Sequence, residues 1–115
     1  MPFRPTDATL PLTPISFEIL LTLTAGERHG YAILQAVERR RAGVLPMRTG
    51  TLYRALARLL DEGLIEKTAG EGDDERRQYY RMTARGRVVA KAEAERLADQ
   101  VAAARSHRLL PGTKR

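Results

Sequence analysis

Between Arg48 and Ile65 the chain reads RTGTLYRALARLLDEGLI, and its polar groups gather on one side. At 100° per residue, Leu52, Ala55, Leu56, Leu59 and Leu60 share a face, while Gly50, Arg54, Ala57 and Asp61 point the opposite way. Tyr53 flanks the outer face on one edge, and Thr51 and Arg58 flank it on the other. Arg48 and Thr49 stand at the entrance and Gly63 at the exit. The chemistry on offer is hydrogen-bond donation. Guanidinium groups suit guanine edges or phosphates, and small residues let a helix approach closely. Arg48, Thr49, Gly50, Thr51, Tyr53, Arg54 and Arg58 are therefore candidate contacts of a helix laid into the major groove of double-stranded DNA. An isolated amphipathic helix is usually only a surface helix, so the neighbouring elements must decide.

Other chemistries find no footing. The chain has no cysteine, so it has no thiolate nucleophile, disulfide or thiolate metal site. Its two histidines, His29 and His107, fall in a turn and at the frayed end of the last helix, with no His/Asp/Ser constellation in sequence reach. Asp73, Asp74 and Glu75 lack the alternating spacing and terminal Glu of a calcium loop. No enzyme activity, cofactor or metal is expected.

The segments around the helix supply a frame for it. Leu64–Thr68 is short and rich in strand formers, Ala69–Glu75 is a polar turn, and Arg76–Met82 reads as a returning strand. A helix followed directly by a two-stranded hairpin is the layout of a winged helix-turn-helix. Lys67, Arg76 and Arg77 make the hairpin a candidate phosphate-contacting wing. Upstream, Pro14–Ala25 is apolar nearly all round, so it should be covered on more than one side. Gly26–Gly30 reads as a turn, Tyr31–Arg41 as a helix burying Ile33, Leu34 and Val37, and Val44–Arg48 as a small strand against the wing base.

The last helix is expected from about Ala84 to His107, with Thr83 as its N-cap. Ala90, Ala94, Leu97, Val101 and Ala104 recur at spacings of four and three, as in a coiled-coil seam. Val88, Val89 and Ala92 lie on another side and are placed against the domain. The seam spans about two heptads, so pairing with the apolar first helix of a second subunit is preferred to a free-standing zipper. Ile15, Ile19, Leu23 and the seam residues are thus the candidate homodimer interface.

The segments HGYAI (His29–Ile33), GTLYRALARLLDEGLIE (Gly50–Glu66) and RQYYRMTARGR (Arg77–Arg87) resemble the PadR family of bacterial transcriptional regulators, over roughly Thr13 to Arg105. The resemblance implies a homodimeric winged-helix repressor that binds palindromic operators and, in many members, releases DNA when a small effector binds. It also implies the subgroup with a single C-terminal dimerisation helix. Two features depart from that pattern. The chain has no tryptophan and no aromatic residue on its last helix with which to sandwich a flat ligand. The wing tip is acidic at Glu71, Asp73, Asp74 and Glu75, where family wings are commonly basic.

The expected fold is mainly α with a small β-hairpin, a winged helix-turn-helix with a long C-terminal dimerisation helix. The expected organisation is a tail at 1–13, the DNA-binding domain at 14–82, the dimerisation helix at 83–108 and a tail at 109–115. A chain of 115 residues with a formal charge of +6 and a pI near 10.3 suits an anionic partner. The charge is uneven, with +3 over residues 26–48, zero over 49–70, −1 over 71–81 and +5 over 82–115. The Arg39-Arg40-Arg41 run reads first as a solvated helix end. No signal peptide or membrane span is apparent, so a cytoplasmic protein is expected. The competing reading is a winged helix used as a protein-interaction module, meeting an acidic protein through Tyr53, Arg54 and Arg58.

Overall fold

A computed structural model describes residues 10–41, 48–69 and 78–112. The elements run α1 (Pro14–Leu23), β1 (Arg28–His29), α2 (Gly30–Arg41), α3 (Thr49–Asp61), β2 (Ile65–Thr68), β3 (Tyr79–Met82) and α4 (Ala84–Ser106). The strands form one antiparallel sheet in the order β1-β3-β2, with Arg28 opposite Tyr80 and Ile65 opposite Met82. Ile19, Leu20 and Leu23 of α1 meet Ile33 and Val37 of α2, Leu52, Leu56 and Leu59 of α3, Leu64 before β2, Ile65 of β2, Tyr80 of β3 and Val89 of α4 in a single core.

Local chemistry explains the boundaries. Pro14 opens α1, where its missing N–H costs nothing, and the Thr13 hydroxyl accepts from the Ser16 amide at 3.1 Å. The helix stops at Leu23, two residues short of the sequence expectation, because the Thr24 hydroxyl donates back to the Leu21 carbonyl at 2.7 Å and Gly26 then turns the chain at φ 131°. At the end of α3, Gly63 takes φ 73° and closes a paired cap. Its amide donates to the Leu60 carbonyl and the Leu64 amide to that of Leu59, both at 3.0 Å.

The first residues of α4 are locked to this same corner. The Thr83 hydroxyl accepts from the Gly86 amide at 2.9 Å and donates to the Gly63 carbonyl at 2.7 Å. The Thr83 amide donates to the Leu64 carbonyl at 3.1 Å. Gly86 lies so close to the Leu64 carbonyl that any Cβ there would collide with backbone. Thr83 is thus the expected N-cap, and it also anchors α4 to the end of α3.

Two sequence expectations change. A third strand, β1, lies inside the segment read as a turn, while the strand expected at Val44–Arg48 falls almost wholly on residues that are not described. Arg48 is the residue before α3, and residues 44–47 lie outside those described. The structural reason is that β3 has one edge open beside β2, and the chain entering α2 passes along it. Similarly, Val89 is fully buried as expected, whereas its neighbour Val88 is 44% exposed and does not pack on the domain. Among the described residues no helix is long and apolar enough to cross a membrane.

Candidate nucleic-acid interface

Helix α3 buries Leu52, Leu56 and Leu59, and half-buries Ala55 and Leu60. This leaves Arg48, Thr49, Gly50, Tyr53, Arg54, Ala57 and Arg58 exposed, with Thr51 half-buried at the margin. Arg58 leans toward Glu62 one turn on, at 3.5 Å, while Arg54 forms no ion pair with any described residue. The outer face therefore carries a guanidinium with no ion pair among the described residues, flanked by small residues.

Tyr53 is held more firmly than its exposure suggests. Its ring lies over Gly30, the first residue of α2, where an added Cβ would come within 2.6 Å of the phenol oxygen. The start of α2 is itself fixed. The His29 imidazole accepts the Ala32 amide through Nδ1 at 3.2 Å and sits edge-on to Tyr79, with centroids 5.5 Å apart. The Gly30 amide donates to the Gln78 carbonyl at 3.3 Å, fastening α2 to the strand. His29 is therefore a structural cap. Tyr31, 60% exposed beside this corner, is a polar surface residue that the sequence reading did not single out. The HGY run contained the signal, since a glycine there demands a close neighbour.

On the hairpin, Lys67 is exposed on β2 opposite Tyr80. Arg81 on β3 is turned to the Glu66 carboxylate at 2.6 Å, and that contact raises its pKa. Burial, with a smaller effect from the Tyr53 phenol, pushes the Tyr80 phenol up. Arg76, Arg77 and the acidic tip lie outside the described residues.

The dimer candidates divide. Ile19 and Leu23 are 0% and 2% exposed, closed inside the chain's own core by α2 and α3. They cannot face a second subunit without opening the domain, which corrects the expectation that placed them at an interface. What α1 leaves partly uncovered is Ile15, Phe17 and Leu21. Phe17 and Leu21 form, with Met82, Ala90 and Ala94, an apolar groove of about 420 Å³ edged by Arg87 and Lys91. Leu97 is half-buried at a smaller cavity with Leu12, Phe17 and Glu93; Val101 is exposed and Ala104 half-buried further along α4. The sequence missed Glu93, which is only 1% exposed. Arg96 grips it through two bonds, 2.7 and 2.9 Å, and its own pKa is raised by that contact.

With this geometry the comparisons agree. The family model for the transcriptional regulator PadR-like family matches residues 19–92. The chain belongs to the PadR-like family. A transcriptional regulator from Clostridium thermocellum is similar at 31% identity, covering 76% of this chain and 84% of that one, with a TM-score of 0.64. A PadR family transcription regulator from Clostridium difficile R20291 aligns at 27% identity over 77% of this chain and 94% of its own, with a TM-score of 0.60. ZitR, a zinc-responsive MarR family member from Lactococcus lactis, shares the fold at 20% identity, with 87% and 63% coverage and a TM-score of 0.62. No match was found among curated protein sequences. This PadR-like chain is a winged-helix transcriptional regulator.

Proposed function

We propose that this PadR-like protein is a repressor that binds a palindromic operator as a homodimer, α3 reading the major groove and the β2–β3 wing following the backbone. The observation that carries the reading is the outer face of α3, where Arg54, with no acidic partner among the described residues, sits among Gly50, Ala57 and Thr49 on a helix whose leucines are sunk in the core. Arg48 and Thr49 at its start and Lys67 on the wing fit phosphate contact, which positions a protein on DNA without reading sequence.

The two-fold arrangement is supported by the apolar groove between α1 and α4 and by the exposed Val101 on the seam. One recognition helix grips DNA weakly, whereas two held about one helical turn apart bind as a tethered pair. Release by a small effector completes the proposal. Electrophoretic shift with the chain's own upstream intergenic DNA and with random duplex of equal length tests the core of it. A specific regulator shows at least about a thousandfold preference at physiological salt. Equal affinity for both duplexes would remove the operator-binding reading.

A further inference from the structure

Across α2 from the recognition helix lies an open groove of about 430 Å³, lined by Thr22 of α1, Arg28 of β1, and Ala32, Gln35, Ala36, Arg39 and Arg40 of α2. Its place is fixed by helical period. Gly30 touches Tyr53 of α3, and Arg39, nine residues on, projects about 180° away from it. We propose that this groove binds a small solute bearing phosphate or carboxylate groups, a site separate from both the α3 face and the α1–α4 groove.

The charge distribution argues for it. Of the three arginines, Arg40 is the one paired with a carboxylate among the described residues. Its Nε donates to Glu18 at 2.7 Å, and this contact raises its pKa and holds the side chain at the groove's edge. Arg28 and Arg39 form no ion pair with any described residue, so two guanidinium groups share one concavity whose described lining holds no carboxylate. Arg28 is carried on a strand whose register against Tyr80 fixes its backbone. Arg39 is on the helix, so the two reach the groove from different elements. Planar guanidinium forks match oxyanions through paired charge-assisted bonds. Gln35 adds an amide, and Ala32 and Ala36 keep the floor clear. The volume falls within the range of small-molecule sites and exceeds what a lone inorganic ion needs.

Titration calorimetry of the full chain with pyrophosphate, without DNA, tests this independently of the DNA-binding reading. Binding should weaken at least about tenfold in the Arg28→Gln/Arg39→Gln protein, the loss expected for charged hydrogen bonds. The single Arg39→Gln change, at an exposed helix position that cannot unfold the domain, should weaken it severalfold. Arg54→Gln/Arg58→Gln removes the same charge from α3 and should leave it unchanged. No binding by the wild type, or equal losses in both double variants, overturns the proposal. So does a wild type indifferent to pyrophosphate whose operator affinity falls with Arg28 and Arg39, because those arginines then serve the DNA backbone.

Discussion

At the scale of single residues, exposure and partnership separate groups that sequence alone treats alike. Arg54, Arg58 and Arg81 are all arginines on surface elements, yet Arg81 is committed to Glu66, Arg58 leans toward Glu62, and Arg54 has no acidic partner among the described residues. Arg54→Ala should therefore lower operator affinity by about 1–3 kcal/mol and relax preference at one base pair, as loss of a bidentate base contact does. Binding-site selection with a folded variant checks it; retained affinity and specificity would take Arg54 out of the readout. Glycines divide in the same way. Gly86 faces the Leu64 backbone, which cannot step aside, whereas Gly30 faces the end of the Tyr53 side chain, which can. Gly86→Ala should cost about 1–3 kcal/mol or more of stability by urea unfolding, as overpacking does. Gly30→Ala should cost much less while displacing Tyr53.

At the scale of elements, the helices and the hairpin were legible because their signals are local. The leucine spacing of α3, the Thr83 cap and the strand formers of β2 each act within a few residues. β1 was not legible, because a two-residue strand has no periodicity and exists only through pairing with Tyr79 and Tyr80, about fifty positions away. Glu93 was equally hidden, since a carboxylate on a charged helix reads as solvent-facing until Arg96 is seen clasping it. The greasy α1 misled in the opposite sense. Its apolar surround was real, but one small domain already covers Ile19 and Leu23. The central strand also sets a pH response. Burial favours the neutral Tyr80 phenol, so its folded pKa lies above its unfolded value near 10. The folded state then holds the proton longer, and this contribution is complete below about pH 10 and lost as pH rises through the folded value. Urea midpoints should fall with alkalinity in the wild type and fall less in Tyr80→Phe; parallel curves would mean that another group titrates.

For the whole molecule, the surface left apolar is where the proposed dimer has to close. Val101 is 40% exposed, on the seam and clear of the core. Val101→Asp should leave helical content and unfolding cooperativity intact while shifting sedimentation from dimer to monomer and reducing operator affinity, because an interface would have to bury an unpaired charge. A variant that stays dimeric would move the contact to the Phe17–Leu21 side of α1. That separation of folding from assembly is unavailable at Leu97, which is half-buried within its own chain.

The corner joining Gly63, Leu64, Thr83 and Gly86 has a mechanical consequence. With backbone against backbone and one threonine bonded to both sides, there is no joint between α3 and the start of α4, so the two helices must swing as a single crank. In the proposed dimer, gearing then runs in one direction: rolling one α4 against the other changes the distance between the two copies of α3, while alterations in the hairpin do not. Substitutions along Ala94 and Val101 should accordingly shift the preferred number of base pairs between half-sites in a randomised-spacer selection, and a change at Lys67 should alter grip with the spacing kept. If Lys67 variants moved the spacing as far, the crank would have a hinge in it.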